Sequence, residues 1–179
     1  MLAHPLEQSA VDLTDYVAEW KWDGIRVQLV HAANGETRLY SRGGDDITHS
    51  FPDVAAHFGV AGVADGELLV RGDHQGGEEG GAASFNALQQ RLGRKQVSAK
   101  MQADYPAFVR LYDLLFDGTE DLRSLAWSER RARLEGFMPR LPAERFDLSQ
   151  ILDADAFEAF ARIRLLRSYA GAPLPLPIQ

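Results

Sequence analysis

Hydrophobic and polar positions along the chain fall into short runs separated by turn-forming residues. Tyr16 to Trp20, Ile25 to Ala32 and Thr37 to Ser41 are rich in Val, Leu, Tyr and Trp and predict strands. Asn34-Gly35 predicts a tight hairpin turn between the second and third. Pro52 to Phe58 fits a short helix, and Val60 to Val70 a further strand with a bend at Asp65-Gly66. Gly72 to Gly81 is glycine-rich and acidic and predicts a mobile loop. Ser84 is placed to cap a helix carrying Phe85, Leu88 and Leu92 on one side, with Gly93 ending it. Pro106 to Leu115 returns to strand, and Ser128 to Phe137 is a helix rich in Arg and Glu. Asp153 starts another, with Phe157, Phe160, Ala161 and Leu165 at helical spacing. No internal repeat is present. Strands in hairpins with helices between them predict an α+β domain rather than a parallel βαβ sheet.

Composition narrows the class. The chain has 179 residues, 45% apolar and 25% charged, which suits a soluble domain with a real core. No apolar run approaches the roughly 18 residues that a membrane span needs. Met1 to Ser9 has no basic segment leading into an apolar stretch, so no secretory signal is expected, and a cytoplasmic location is the simplest reading. Cysteine is absent, which excludes disulfides and thiolate metal sites. The net charge of −7 argues against a tight grip on nucleic acid by this segment alone. Charge is uneven, however. Arg91, Arg94, Lys95, Lys100 and Arg110 fall within twenty residues that contain one acid, Asp104. They read either as a solvated helix face or as a local contact to a DNA backbone.

One segment stands out chemically: Glu19-Trp20-Lys21-Trp22-Asp23-Gly24-Ile25-Arg26. Two flanking tryptophans are expected to desolvate Lys21 partly, which favours a neutral, nucleophilic amine. Asp23 and Arg26 follow at short range, and Gly24 would let the backbone approach a ligand. A strand-end lysine paired with Glu19 or Asp23 is the structural alternative. Three further segments are weaker alone. Ser41-Arg42-Gly43-Gly44 sets an arginine beside flexible glycines, Asp65-Gly66-Glu67 sets a carboxylate before a buried strand, and Tyr112-Asp113 sets an aromatic on a strand running into a turn. Taken singly, Arg42 reads as a surface residue, Glu67 as a turn acid and Tyr112 as a core aromatic.

In this order the four segments resemble the nucleotidyltransferase domain of the ATP-dependent DNA ligases, within a superfamily that includes RNA ligases and mRNA capping enzymes. Lys21, Asp23, Gly24 and Arg26 match its Lys-x-Asp-Gly-x-Arg motif. Ser41, Arg42 and Gly44 match Ser-Arg-x-Gly; Asp65, Gly66 and Glu67 match Asp-Gly-Glu; Tyr112-Asp113 match the aromatic-Asp motif, with tyrosine where phenylalanine is frequent. Phe85-Asn86-Ala87-Leu88-Gln89-Gln90-Arg91 is similar to a helix of DNA ligases and favours them over capping enzymes. The resemblance implies an ATP-grasp-like α+β domain of antiparallel sheets with flanking helices. It implies ATP and Mg2+ as cofactors and nicked double-stranded DNA as partner, in replication, recombination or repair, with other repair proteins as further partners and no membrane. Lys21 would attack the α-phosphate of ATP to form lysyl-AMP, with Asp23 and Arg26 beside it. Glu19 would accept from the adenine amino group, Tyr112 would stack on the base, Glu67 would face the ribose or a magnesium shell, and Arg42 would meet phosphate.

The chain also departs from the family pattern. Two later motifs of the domain, Glu-Gly-apolar-apolar-x-Lys and Lys-x-Lys, have no match, since the only lysines are Lys21, Lys95 and Lys100. From Ser168 the sequence becomes a Pro/Ala/Leu tail that continues no helix or strand pattern. The expectation is a partial adenylation domain over 1–167, incomplete at its C-terminus, followed by a non-homologous tail over 168–179. Such a chain is expected not to seal DNA by itself. A non-catalytic remnant that binds nucleotide weakly, and an RNA ligase, are the other readings.

Overall fold

The computed structural model of the chain describes residues 17–72, 85–94, 96–152 and 175–178. In chain order the elements are β1 (Val17–Trp20), β2 (Ile25–His31), β3 (Thr37–Ser41), α1 (Pro52–His57), β4 (Gly62–Val70), α2 (Phe85–Gln89) and α3 (Ala99–Asp104). There follow β5 (Ala107–Asp117), β6 (Glu120–Asp121), α4 (Trp127–Phe137), β7 (Phe146–Leu148), β8 (Ile151–Leu152) and β9 (Pro175–Ile178). Two compact units form, one from Met1–Trp22 with Ser149–Gln179 and the other from Asp23–Leu148. Strands in largely antiparallel sheets with separate short helices make the α+β class that the sequence predicts.

The larger unit is built on a six-stranded sheet of order β3-β2-β4-β5-β6, with β7 added parallel to β5. The hairpin between β2 and β3 closes as expected: Gly35 N–H donates to the Ala32 carbonyl at 2.9 Å, and Gly35 takes φ +84°, open to glycine at no steric cost. Strand alternation then sorts the side chains. Val27 and Leu29 of β2, Leu39 of β3, Ala64, Leu68 and Val70 of β4, and Val109 and Leu111 of β5 are all fully buried on one face. They pack with Phe51, Val54 and Phe58 around α1, with Leu134 and Phe137 of α4, and with Phe146. Phe58 centres this layer, with ring centroids 6.2 Å from Phe137 and 5.6 Å from Phe146. The residues in between, Arg26, Gln28, Asp65, Glu67 and Tyr112, belong to the opposite face.

The bend expected at Asp65-Gly66 is instead a β-bulge. β4 runs unbroken, but Asp65 lies opposite Asp113 and Gly66 opposite Leu111, so Tyr112 is the extra residue on β5. The buried phase of β5 accordingly moves from Leu111 to Leu114.

The helical stripe of Phe85, Leu88 and Leu92 is corrected. α2 stops at Gln89, so Leu88 is buried while Leu92 is 39% exposed. Gly93, with φ +75°, does end the segment. α3 was not foreseen; the Ser98 hydroxyl accepts from Met101 N–H at 3.2 Å and caps it.

The basic stretch is neither a uniform solvated face nor a uniform DNA contact. Arg91 is fully buried, pairs with both oxygens of Asp53, and donates to the Ser50 carbonyl at 3.2 Å and the Tyr105 carbonyl at 2.9 Å. Arg145 reaches the same Asp53 at 3.1 Å. Arg110 is also buried and forms a two-pronged pair with Asp147 at 2.8 and 2.6 Å. Arg94 and Lys100 remain exposed, Lys100 pairing with Asp104 at 2.7 Å. Composition could not separate these cases, because each buried arginine is neutralised by an aspartate distant in sequence.

In the smaller unit β1 is the centre of a three-stranded sheet of order β8-β1-β9. β9 corrects the expectation of a patternless tail. Leu176 and Ile178 lie opposite Glu19 and Val17, while Pro177 and Pro175 lie opposite Ala18 and Trp20. A strand with proline at every second residue can donate N–H to one neighbour only, which suits it to a sheet edge. Lys95, the rest of the glycine-rich loop from residue 73, Ser84 and the helix expected from Asp153 lie outside the described residues.

Removing one partner of a buried ion pair strands the other. Arg91→Ala should therefore lower unfolding free energy by about 3–5 kcal/mol in urea denaturation, whereas Lys100→Ala, an exposed pair, should cost less than about 1 kcal/mol. Equal effects would show that the Asp53 cluster does not hold the fold.

Candidate functional site

The polar face of the large sheet is organised around Asp65. On neighbouring strands Arg26 lies opposite Glu67, and Gln28 opposite Asp65. Arg26 Nη2 reaches diagonally to donate to Asp65 Oδ2 at 2.7 Å, and Gln28 Nε2 donates to Asp65 Oδ1 at 3.0 Å. Asp65 is 5% exposed, so a buried carboxylate has both oxygens satisfied, one by a charge-assisted bond. The same bond holds the Arg26 guanidinium more firmly charged than usual, against the opposing effect of its partial burial.

Glu67 follows on the same face two residues later. Its Oε1 accepts from the Gly24 backbone N–H at 3.2 Å and ties the chain entering β2 to β4. Tyr112 is partly buried beside these groups. Burial pushes its hydroxyl above the ordinary tyrosine value; the charges of Asp65, Glu67 and Asp113 push the same way, and Arg26 opposes them. The phenol therefore stays neutral beside a cation and three carboxylates.

Both motif glycines have a packing reason. A Cβ on Gly24 would lie 2.5 Å from the Leu68 carbonyl oxygen and 2.8 Å from Glu67 Cγ. At Gly66 it would lie 2.6 Å from Val109 Cγ1 and 2.7 Å from the Arg110 carbonyl oxygen. Gly24 thus serves close approach to β4.

The other expected residues stand as follows. Arg42 is exposed on the turn after β3, where the Ser41 hydroxyl accepts the N–H groups of Gly43 and Asp45, each at 3.2 Å, and Gly44 takes φ +87°. Asp23 is exposed at the start of the larger unit. Glu19 and Lys21 belong to the smaller unit. Glu19 is 3% exposed. Lys21 is exposed, which corrects the expectation that two tryptophans desolvate it: Trp20 is buried in β1, Trp22 is partly buried, and Lys21 lies just past the strand end. The structure therefore brings Arg26, Glu67 and Tyr112 together on one face. The anchoring part of Asp65 and Gln28 was missed by the sequence reading, although the alternation Ile25-Arg26-Val27-Gln28-Leu29 already puts Arg26 and Gln28 on one side. Among the described residues no three His, Cys, Asp or Glu side chains gather as a metal cluster, and no helix is long and apolar enough to cross a membrane.

Known proteins resemble this chain in sequence and in fold. The profile of the ATP dependent DNA ligase domain family matches residues 1–166. A probable DNA ligase of Koribacter versatilis is 35% identical over 148 residues, covering 79% of this chain and 25% of that protein. A probable DNA ligase of an Anaeromyxobacter species is 33% identical, covering 96% of this chain and 33% of that protein. Among solved structures, a mycobacterial DNA ligase D complexed with ATP and MES is 26% identical with a TM-score of 0.64, over 90% of this chain and 47% of that one. The chain thus spans about a fifth to a third of the length of the curated relatives it matches.

The glycine contacts generate a stability prediction. Gly66→Ala should destabilise the domain by about 1–3 kcal/mol, the usual cost of overpacking, because the obstacle is the β5 backbone rather than a flexible side-chain tip. Gly35→Ala meets open space and should cost only the strain of its positive φ. Thermal unfolding of both variants would check the order; a fully stable Gly66→Ala would contradict the close β4–β5 approach.

Proposed function

The chain belongs to the ATP-dependent DNA ligase domain family, and we propose that it carries the lysine and the polar sheet face on which a ligase adenylates itself before sealing a nick in double-stranded DNA. The observation that carries this reading is the gathering of Arg26, Asp65, Glu67 and Tyr112 on one face, with Lys21 five residues before Arg26 in the chain.

Deprotonated Lys21 Nζ attacks the α-phosphorus of ATP. An N–P bond forms, the bond from that phosphorus to the bridging oxygen breaks, and pyrophosphate leaves with the electron pair. Exposure suits Lys21 to this task in one respect: its amine is not buried in an ion pair that the nucleotide would have to break. Arg26 is already fixed and charged through Asp65, so it presents a preorganised fork to phosphate without reorganising during the reaction. Tyr112 supplies a neutral ring for stacking on adenine, Glu19 accepts from the adenine amino group, and Glu67 faces the ribose hydroxyls. Arg42, exposed and followed by Gly43 and Gly44, meets phosphate, and Asp23 follows two residues after the reacting lysine in the chain. The adenylate then passes to a DNA 5′-phosphate, and a 3′-hydroxyl displaces AMP to close the backbone.

The donor set fits magnesium as a companion of the nucleotide. Mg2+ is commonly held by one or two carboxylates together with substrate phosphates, and Glu67 is a hard oxygen donor on the polar face. When bound, it would supply charge neutralisation on the phosphates. Nicked duplex DNA, action in replication, recombination or repair together with other repair proteins, and a cytoplasmic location complete the proposal.

Labelled ATP tests it directly. Any covalent AMP that the purified chain acquires in the presence of magnesium should sit on Lys21, and Lys21→Ala should abolish it. Lys21→Arg should also be inert, because arginine stays protonated. Tyr112→Ala should weaken ATP binding by roughly 1–3 kcal/mol, the scale of a lost base stack, and Tyr112→Phe should be mild. Labelling that survives Lys21→Ala would overturn the assignment, and ATP binding with no adduct would favour the non-catalytic remnant.

A further inference from the structure

The outer edge of β5 is covered by β7 along Val109–Leu111 and by β6 along Phe116–Asp117. Between them, Tyr112, Asp113 and Leu114 have no strand partner on that side among the described residues. On the β4 side Tyr112 is the extra residue of the bulge. The ring read above as the adenine platform therefore sits on the part of β5 least restrained by sheet hydrogen bonds.

Side chains hold that gap. Asp113 Oδ1 accepts the Leu114 backbone N–H at 2.9 Å, replacing the missing strand neighbour. Arg130, one turn into α4, donates from Nε to Asp113 Oδ1 at 2.8 Å and from Nη2 to Asp113 Oδ2 at 2.9 Å. Its remaining Nη1 donates to the Leu125 carbonyl at 2.8 Å, which fixes the guanidinium from its other end. Both partners are largely withdrawn from water, with side chains 17% and 20% exposed. A planar fork on a carboxylate restricts direction as well as distance. The neighbouring helix arginine, Arg133, pairs with Glu120 and Asp117 near the far end of β5 and leaves Asp113 alone.

We propose that Arg130 is a positioning residue: by clamping Asp113 it fixes the bulge, and so sets the orientation of the Tyr112 ring on the nucleotide face. The proposal rests on the reading of Tyr112 as the adenine-stacking ring. α4 touches no reacting atom in this scheme. It acts on nucleotide affinity through two residues of β5.

The test has two arms on the whole chain. In the first, tyrosine rings are labelled with carbon-13 and the Tyr112 signal is assigned with Tyr112→Phe. Arg130→Gln should shift or broaden the Tyr112 ring signal and the Leu114 amide while leaving Tyr40 unmoved. Arg130→Lys, which can hold one carboxylate oxygen but not both, should restore it in part, and Arg133→Gln should leave it unchanged. Asp113→Asn should reproduce the Arg130→Gln effect and serves in its place if that variant fails to fold. In the second arm, Arg130→Gln should raise the ATP dissociation constant roughly fivefold to thirtyfold, part of the loss expected when a base stack is removed. It should add almost nothing in a Tyr112→Ala background, because the two changes act through one contact. An unmoved Tyr112 ring in folded Arg130→Gln, or an equal loss of affinity with and without Tyr112, would reduce Arg130 to a structural role and overturn the proposal. Absence of ATP binding by the unaltered chain would instead count against the reading of Tyr112, and the ring signals would still decide whether Arg130 orients it.

Discussion

β4 is hydrogen-bonded along its length to β2 on one side and β5 on the other, and the rest of the large unit follows from that placement. A strand in this position has only its two faces left to use. Ala64, Leu68 and Val70 give one face to the core, where Phe58 and its aromatic neighbours close the layer. Asp65 and Glu67 give the other face its charge. The Asp-Gly-Glu run is thus a folding element and a chemical one at once: Gly66 permits β5 to come close, and the two acids beside it hold Arg26, Gln28 and the backbone of Gly24.

Preorganisation follows from the same arrangement. A guanidinium held by a buried carboxylate loses little freedom when a phosphate arrives, so its attraction is not spent on ordering a mobile side chain. Asp65 can be buried because two donors from one neighbouring strand complete its coordination. On the proposed reading, the stability of the sheet and the readiness of Arg26 for phosphate are therefore coupled. The same device recurs in the unit, with Asp53 receiving Arg91 and Arg145, and Asp147 receiving Arg110, which lies opposite Glu67 on β5.

Much of this was legible in the residues. The hairpin at Asn34-Gly35, the strands beginning at Ile25 and Thr37, and the helix ending at Phe137 follow from local turn chemistry and apolar runs. The motif segments carry the family resemblance in the residues alone. What stayed hidden depends on pairing across the chain. The bulge at Tyr112 exists only as a mismatch between β4 and β5, and the buried state of Arg91 depends on an aspartate 38 residues away. Leu92 continued a helical period on paper, but α2 ends before reaching it. The alternate prolines of β9 suggested a breaker, whereas at a sheet edge they only silence one side. Flanking tryptophans suggested a desolvated Lys21, but a strand end leaves its long side chain in water.

The central claim is that ATP lies on the polar face of the large sheet and not elsewhere on the domain. Chemical-shift mapping with isotope-labelled protein and ATP reads this most directly. The account predicts the largest shifts at Arg26, Gln28, Glu67 and Tyr112, with the methyl groups of Val27, Leu29 and Leu111 on the core face nearly still. Shifts centred on the exposed residues of α3 or α4, with the Arg26 and Tyr112 signals unmoved, would contradict it.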